Sequence, residues 1–554
     1  MAGRPYISLF ALALLVVLLN SLKPLHADDS DYFDYASQIV KAPLDPYGFD
    51  LKEGVPANYN LAPPGFLYWF AGNLKLFGYR PFLWKLALFP FALLLVTSLY
   101  QLLKRFAPAT ELPLVWMTAL SPPFLPGWNL MLDLPALAIS LGGLLLFFWA
   151  CDRRSLALAM LAGLAMGLAM ETKYTAFIAP AVALLYAVLF RRLPFAIVAG
   201  TMAVLVFSGW EAFIAARYGE SHFLCSLHQR NGRLLSRITH LFPPLLSILG
   251  GAAPAMGLLG LIVLGRSRWE LLGALVLACI SYALLACIPD RYAILIRDPQ
   301  SGKDRMNLNY LPFALSGLVV CVSAATVARE LCRRGSGKGG DQAGWRVCPV
   351  DWFLALWLGL EVAGYFVLSP FPAVRRILGL YAVCTLIMGR LASQAGRVRM
   401  RPLYGVAAIG AVLGLGFYVI DLRDAFAERA VARATAREIR AQEPESTIWC
   451  YGLGGFRHYA TQCGMKPMDT MGSRIQPGDW LVAADPCDRP VKPTLPKILA
   501  SYESRAGARG VEEIAEIGVA DWLPLRLMPR YYGESMPMAH NEGPRFVSTV
   551  YRFH

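Results

Sequence analysis

The chain has 554 residues, 56% of them hydrophobic and only 16% charged, with a mean hydropathy of +0.46 and a formal charge of +14. A soluble domain is nearer one quarter charged, and no soluble core hides this much apolar surface, so lipid is the solvent for most of the chain. The positive charge is spread over short breaks between apolar runs, with no continuous basic domain and no nucleic-acid motif, which argues against a nucleic-acid partner.

The first apolar run, Tyr6 to Leu22, follows Arg4. Ala27 could end a cleavage site, but Leu25 stands where a small residue is needed, so an uncleaved signal-anchor helix is expected. A long loop, 23–80, comes next. It opens with LHADDSDYFDYA, which sets Asp28, Asp29, Asp31 and Asp34 at the water boundary of that helix. After Pro63-Pro64, the residues Phe66, Trp69, Phe70, Leu74 and Phe77 recur at helical spacing, which predicts a helix in the interface plane. A loop this long and this patterned is more than a connector.

Apolar spans are expected at about 81–103, 112–124, 130–150, 156–170, 174–190, 194–216, 241–264, 269–288, 310–328, 352–368, 377–389 and 403–420, about thirteen with the first helix. With the N-terminus in the cytoplasm, alternate breaks carry Lys104-Arg105, Arg153-Arg154, Arg191-Arg192, Arg266 with Arg268, Arg333-Arg334-Lys338 and Arg397-Arg399-Arg401. All fall on the cytoplasmic side, as the positive-inside rule requires. The same alternation puts the acidic loop and everything after Asp421 outside.

Outer breaks should be poor in Lys and Arg, yet Arg217, Arg230, Arg233 and Arg237 share one, and Arg291, Arg297, Lys303 and Arg305 share another. Lys173 sits between two apolar runs, and Arg375-Arg376 opens a late one. An anionic ligand at the outer face accounts for these exceptions. Asp133, near the outer end of an apolar segment, is an intramembrane ionisable group and so a functional candidate.

The tail, 421–554, starts as a charged helix and continues with strand-like segments at Thr447–Tyr451, Trp480–Ala483, Val519–Trp522 and Phe546–Arg552, which predicts a small α/β appendage. YGLGGFRHYA in this tail has the look of a nucleotide-binding turn, but a lone Gly-rich turn carries little weight. RRGSGKGG reads as a linker, since Lys338 is followed by Gly339 and not by the Ser or Thr of a phosphate loop. The eleven cysteines show no CxxC and no metal spacing. One disulfide, Cys450–Cys463, is expected if the tail is extracytoplasmic.

These residues, in this order, resemble the GT-C superfamily of polytopic glycosyltransferases, in the branch of the protein O-mannosyltransferases and the lipid A aminoarabinose transferase. ADDSDYFDYA is similar to the family's first-loop acidic signature. NLAPPGFLYWFAGNLKLFG is similar to its Pro-Pro, Tyr-Trp and Leu-Phe-Gly segment, with Ala62 where the family has lysine. NLMLDLPALAISL, GLAMGLAMETKYTAF and AVRRILGLY resemble three later outer-face segments. The likeness spans about 6–420.

The resemblance implies an all-α polytopic membrane bundle (GT-C-like, about thirteen transmembrane helices) as a transferase domain at 1–420, with an extracytoplasmic α/β domain at 421–554. It implies an inverting glycosyltransferase in a bacterial inner membrane, its active site facing the periplasm. The expected partners are a polyprenyl-phosphate-linked sugar donor, a lipid, glycan or protein acceptor, and membrane lipids. Such a transfer needs a base for the acceptor hydroxyl, assigned to Asp28 with Asp29 as runner-up. It also needs cations for the leaving phosphate, assigned to Lys173, Arg375 and Arg376. Asp133 would position the acceptor or pair with Lys173, and Tyr59 and Asn60 would line the sugar pocket. No cofactor is expected, although four clustered aspartates leave a divalent cation open. A transporter or flippase, or a polysaccharide polymerase or ligase, is the alternative. The first predicts an internal repeat and midplane charges, and the second lacks an aspartate-rich first loop.

Overall fold

The computed structural model describes residues 4–51, 56–59, 62–228, 234–288, 294–297, 304–335, 348–394, 400–452, 454–468, 475–485, 510–527, 536–540 and 542–554. The chain begins with α1 (Arg4–Ser21), α2 (Asp29–Lys41), α3 (Gly65–Phe77), α4 (Pro81–Leu86), α5 (Phe89–Phe106) and α6 (Glu111–Ala119). Then come α7 (Asp133–Arg153), α8 (Leu156–Met170), α9 (Ile178–Leu189), α10 (Leu193–Tyr218), α11 (His222–His228), α12 (Leu234–Ala252), α13 (Pro254–Val263) and α14 (Arg268–Cys287). A hairpin of β1 (Leu295–Arg297) and β2 (Asp304–Met306) leads to α15 (Tyr310–Gly335), α16 (Pro349–Leu368), α17 (Leu378–Gln394) and α18 (Met400–Gln442).

Seven of the described helices are long and apolar enough to cross a membrane, or eight if a bent pair counts as one span, and three shorter apolar helices accompany them. The 21 residues of α7 reach about 31 Å at ~1.5 Å per residue, the thickness of a hydrocarbon core. Two expected spans take other shapes. The 112–124 run becomes the nine-residue α6, followed by a turn through Ser121-Pro122-Pro123, where two prolines withhold their N–H groups. The 241–264 run splits into α12 and α13, bent by 80° at Ala253, whose backbone is pushed out of the helical region ahead of Pro254.

Lipid gives helices no hydrophobic reason to associate, so close approach of small residues holds them together. Gly163 and Gly167 of α8 face Ala199, Ala203 and Val206 of α10, and a Cβ at Gly167 would come within 2.7 Å of Val206. The interface helix expected after Pro63-Pro64 is α3, with Phe66 and Phe70 buried and Trp69 exposed.

The tail adds β3 (Ile448–Tyr451), α19 (Gly454–Gln462), β4 (Lys466–Pro467), β5 (Trp480–Asp485), β6 (Val511–Val519), β7 (Leu525–Leu527), β8 (Met538–His540) and β9 (Phe546–Phe553). Five strands form one sheet in the order β4-β3-β5-β9-β6, parallel through β4-β3-β5 and antiparallel beyond. Three expected strands match β3, β5 and β9. The fourth, Val519–Trp522, is a correction: β6 ends at Val519, and Asp521 and Trp522 lie in the turn after it. Glutamates at 512, 513 and 516 hide the strand alternation of β6, an edge strand with its face in water. Cys450 and Cys463 are not bridged. Met536 is fully buried, and Pro537 packs against Gly251 of α12, so the tail is seated on the membrane bundle.

Candidate functional site

The acidic loop enters the site through a strained turn. Ala27 has φ of 53°, a left-handed conformation that costs a Cβ-bearing residue roughly 1–2 kcal/mol. The next residue, Asp28, occupies the N-cap position of α2 but makes no capping bond with its side chain. Its carboxylate faces the Arg375 guanidinium instead, Oδ2 to Nη1 at 2.9 Å, and its side chain keeps 21% exposure. Asp28 and Arg375 are 347 residues apart in sequence.

Arg375 and Arg376 belong to a short 3-10 turn, Val374–Arg376, between α16 and α17. Phe371 lies beneath both guanidinium groups, 5.4 and 5.1 Å from its ring centre. Arg237 of α12 donates to the Ser369 carbonyl at 2.7 Å, fixing the segment that leads to this turn. On the other side, Lys173 pairs with Asp133 at the start of α7. Burial, with help from Arg376 and Arg375, pulls the Lys173 ammonium down from the ordinary lysine range in spite of Asp133. An anion arriving here favours the charged form.

Below these charges a cavity runs beside α7 from Asp133 to Leu144, about 16 Å of helix at ~1.5 Å per residue. Leu137, Leu141 and Ile178 give it an apolar wall, and Ser140, Tyr365 and Glu361 a polar one. Trp357 Nε1 donates to Glu361 at 3.2 Å. Among the described residues, Asp133 Oδ2, Ser140 Oγ, Tyr365 Oη and Arg375 Nε are buried with no hydrogen-bond partner. Unused capacity of this kind is costly unless a ligand fills it. The arrangement suits an anionic head at the mouth with an apolar chain running inward.

Asp29 stands apart from all this. It is fully buried, pairs with Lys85 at 3.0 Å, and accepts the N–H of Leu130 at 2.8 Å and of His26 at 3.1 Å. Every oxygen is used, and the carboxylate bolts the first loop to the 120–132 turn. Tyr59, at 45% exposure, does not line the cavity. Asn60, Arg230, Arg233, Arg291 and Lys303 lie outside the described residues. Arg217 is held by Asp45, 3.0 Å away, and does not line the cavity.

Lys85, Ser140, Glu361 and Tyr365 were not anticipated, whereas Arg237 was among the arginines singled out in an outer break. Lys85 and Glu361 each stand as a lone charge inside an apolar run, the signal that singled out Asp133. Asp31 and Asp34 face Arg457 of α19 at 3.9 and 3.5 Å, and Tyr79 Oη lies 2.5 Å from His458 Nε2. The tail therefore presses on the acidic helix. Two of the three glycines of YGLGGFRHYA make this approach feasible: a Cβ at Gly454 would stand 3.0 Å from the Ala27 carbonyl, and one at Gly455 would collide with that of Leu25. Their absent side chains admit another stretch of backbone. Among the described residues no group of three or more His, Cys, Asp or Glu is placed to hold a metal.

No protein-family model and no curated protein matches the chain. Among solved structures it is similar to ArnT from Cupriavidus metallidurans bound to undecaprenyl phosphate, at 16% identity over 99% of this chain and 98% of that one, TM-score 0.44. It is also similar to the oligosaccharyltransferase AglB from Archaeoglobus fulgidus in complex with an inhibitory peptide and a dolichol-phosphate (12%, 84% and 64%, TM-score 0.45). The arabinosyltransferase EmbB from Mycobacterium smegmatis is a third (14%, 75% and 40%, TM-score 0.35). All three are GT-C glycosyltransferases, the superfamily the sequence motifs resemble. With TM-scores below 0.5, the functional reading rests on the geometry of the site.

Proposed function

We propose that this chain is an inverting glycosyltransferase that moves a sugar from a polyprenyl-phosphate carrier to an acceptor hydroxyl at the membrane face bearing the tail. The observation that carries the reading is the Asp28–Arg375 pair, whose arginine lines the cavity with Asp133 and Arg376, together with Lys173 paired to that Asp133. A carboxylate that faces solvent on one side and a cation on the other can orient an acceptor hydroxyl and take its proton as the new bond forms.

The bond from the anomeric carbon to the phosphate oxygen breaks as the bond to the acceptor oxygen forms on the opposite face. The electron pair goes to the phosphate, where Arg375, Arg376 and Lys173 meet the new charge in a water-poor setting. The apolar wall receives the first part of the prenyl chain. The sugar itself, the acceptor and a bacterial inner-membrane setting belong to the same proposal, by resemblance.

Purified protein in proteoliposomes, supplied with labelled prenyl-phosphate sugars, tests it. Label should pass to an acceptor and stop passing in Asp28→Asn. Accumulation of intact donor inside the vesicles without transfer would point to a transporter and sink the reading.

A further inference from the structure

Trp522 has the largest exposed fraction of any large apolar side chain described, 78%, although it sits in a tightly braced turn. Its neighbour Asp521 is gripped by Arg423 and Arg545, with Arg423 Nε donating at 2.9 Å, and Arg545 also reaches Asp424. This bracing, with the Leu523 N–H donating to Asp521 at 3.2 Å, holds the indole outward. Arg423 lies 5.2 Å over the ring.

The place of that ring relative to the membrane follows from α18. Exposed Val412, Leu415 and Val419 form a stripe at three- and four-residue spacing, the lipid-facing side of the helix. The apolar run stops at Ile420 and the first charge is Asp421. Arg423 follows Val419 by four residues and Phe426 follows it by seven, so both continue the same stripe. Arg423 stands three residues past the apolar run, about 5 Å at ~1.5 Å per residue, which is within the headgroup layer. Phe426, 40% exposed, carries Arg429 at 4.7 Å from its ring centre. Two aromatic rings, each with its own arginine, thus extend a lipid-facing stripe into the headgroup zone, where tryptophan and arginine are favoured together.

We infer that the turn bearing Trp522 is a lipid-interface anchor, whose partner is the phospholipid headgroup and upper acyl layer. This holds whatever the protein transfers, because it uses no residue of the proposed site. It gives the tail a third hold, beside the Met536 insertion and the contact of α19 with α2, and sets the sheet at a fixed height over the membrane.

The test is tryptophan quenching in proteoliposomes made with phosphatidylcholine brominated at the 6,7 or the 11,12 acyl positions. The wild-type signal minus that of Trp522→Phe isolates the one indole. Its emission should be quenched at least two-fold more by the shallow bromines than by the deep ones, and little by aqueous iodide. A difference signal quenched by iodide and untouched by either bromolipid would overturn the anchor. So would a photo-crosslink from this position, in native membranes, to a protein and not to lipid. Trp522→Tyr keeps an interfacial aromatic and serves as the second variant if the phenylalanine protein folds poorly.

Discussion

Asp28 and Asp29 are joined by one peptide bond and belong to two charge networks of opposite character. In front, Asp28 pairs with Arg375 and Lys173 with Asp133, and the Arg375 and Asp133 that line the cavity have buried atoms with hydrogen-bonding capacity in hand. Behind, Asp29 with Lys85, and Lys23 with Asp421, are sealed. Lys23 lies 2.5 Å from Asp421 and donates to the Pro126 carbonyl at 2.8 Å, and Lys85 also donates to the Pro24 carbonyl at 3.0 Å. Residue types and burial alone would not tell the two apart. Capacity left over for a ligand separates Asp29, Lys85, Lys23 and Asp421, none of which keeps an unpartnered buried atom, from Asp133 and Arg375, which do; further along the rear side, Glu428 Oε2 is also buried without a partner.

That contrast can be broken most sharply at the two aspartates. Asp28→Asn should lower turnover by about 10²- to 10⁴-fold, the range for loss of a positioned base. Because it also takes the anionic partner from Arg375, the unfolding midpoint in detergent should drop, but less than for a fully sealed pair, since the Asp28 side chain keeps 21% exposure. A stability loss as large as that of Lys85→Met would return Asp28 to a structural role. The mirror experiment is Lys85→Met. It strands Asp29 as a buried charge and should destabilise the protein by roughly 3–5 kcal/mol, read as a large drop in the unfolding midpoint. An unchanged midpoint would mean that the rear network is not the brace described.

A smaller effect is expected from Gly455→Ala, whose new methyl meets the Leu25 carbonyl and shifts the turn that carries Asp28. Turnover should fall about ten-fold or more with donor binding little changed, since misplacement by 1 Å can cost about 10²-fold. A matching loss of donor affinity would instead implicate the phosphate site.

The mildest test uses pH. Burial disfavours charged His26, but Glu428 at 2.9 Å and Asp421 at 3.6 Å outweigh it and raise the imidazole to about 9. A folded pKa above the unfolded value of roughly 6.5 gives stability that is full below that value. It is lost as pH rises toward 9. The unfolding midpoint should therefore fall from pH 7 to pH 9, and His26→Gln should flatten that slope. A wild-type midpoint steady across this interval would remove His26 from the rear network.

Much of the front network was legible in the sequence, because charges inside or beside apolar runs are expensive and so conspicuous. Asp28, Asp133, Lys173 and Arg375-Arg376 all stood out in that way. The division of labour between Asp28 and Asp29 did not, since it depends on which carboxylate meets the Leu130 N–H, more than a hundred residues on. Glu361 and Lys85 carried the same signal and were passed over, each a single charge in an otherwise good span. The strand β6 was hidden by its glutamates, while Asp521-Trp522 after it looked like a strand end and is a turn braced by arginines. YGLGGFRHYA was visible as a Gly-rich turn after a strand, without the helix α19 that follows it. That the cradle holds the chain's own backbone could not be read locally.

The contact of α19 with the first loop has a consequence for how the protein is made. The Leu25 N–H donates to the Tyr459 hydroxyl at 2.8 Å across 434 residues. At 5–20 residues per second, synthesis separates the two partners by roughly 20–90 s. Throughout that interval the first loop waits at the membrane surface without its cover. The turn that delivers Asp28 is thus among the first parts of the chain to be translated and among the last to be set, and chains that stop short of residue 459 leave it unfinished.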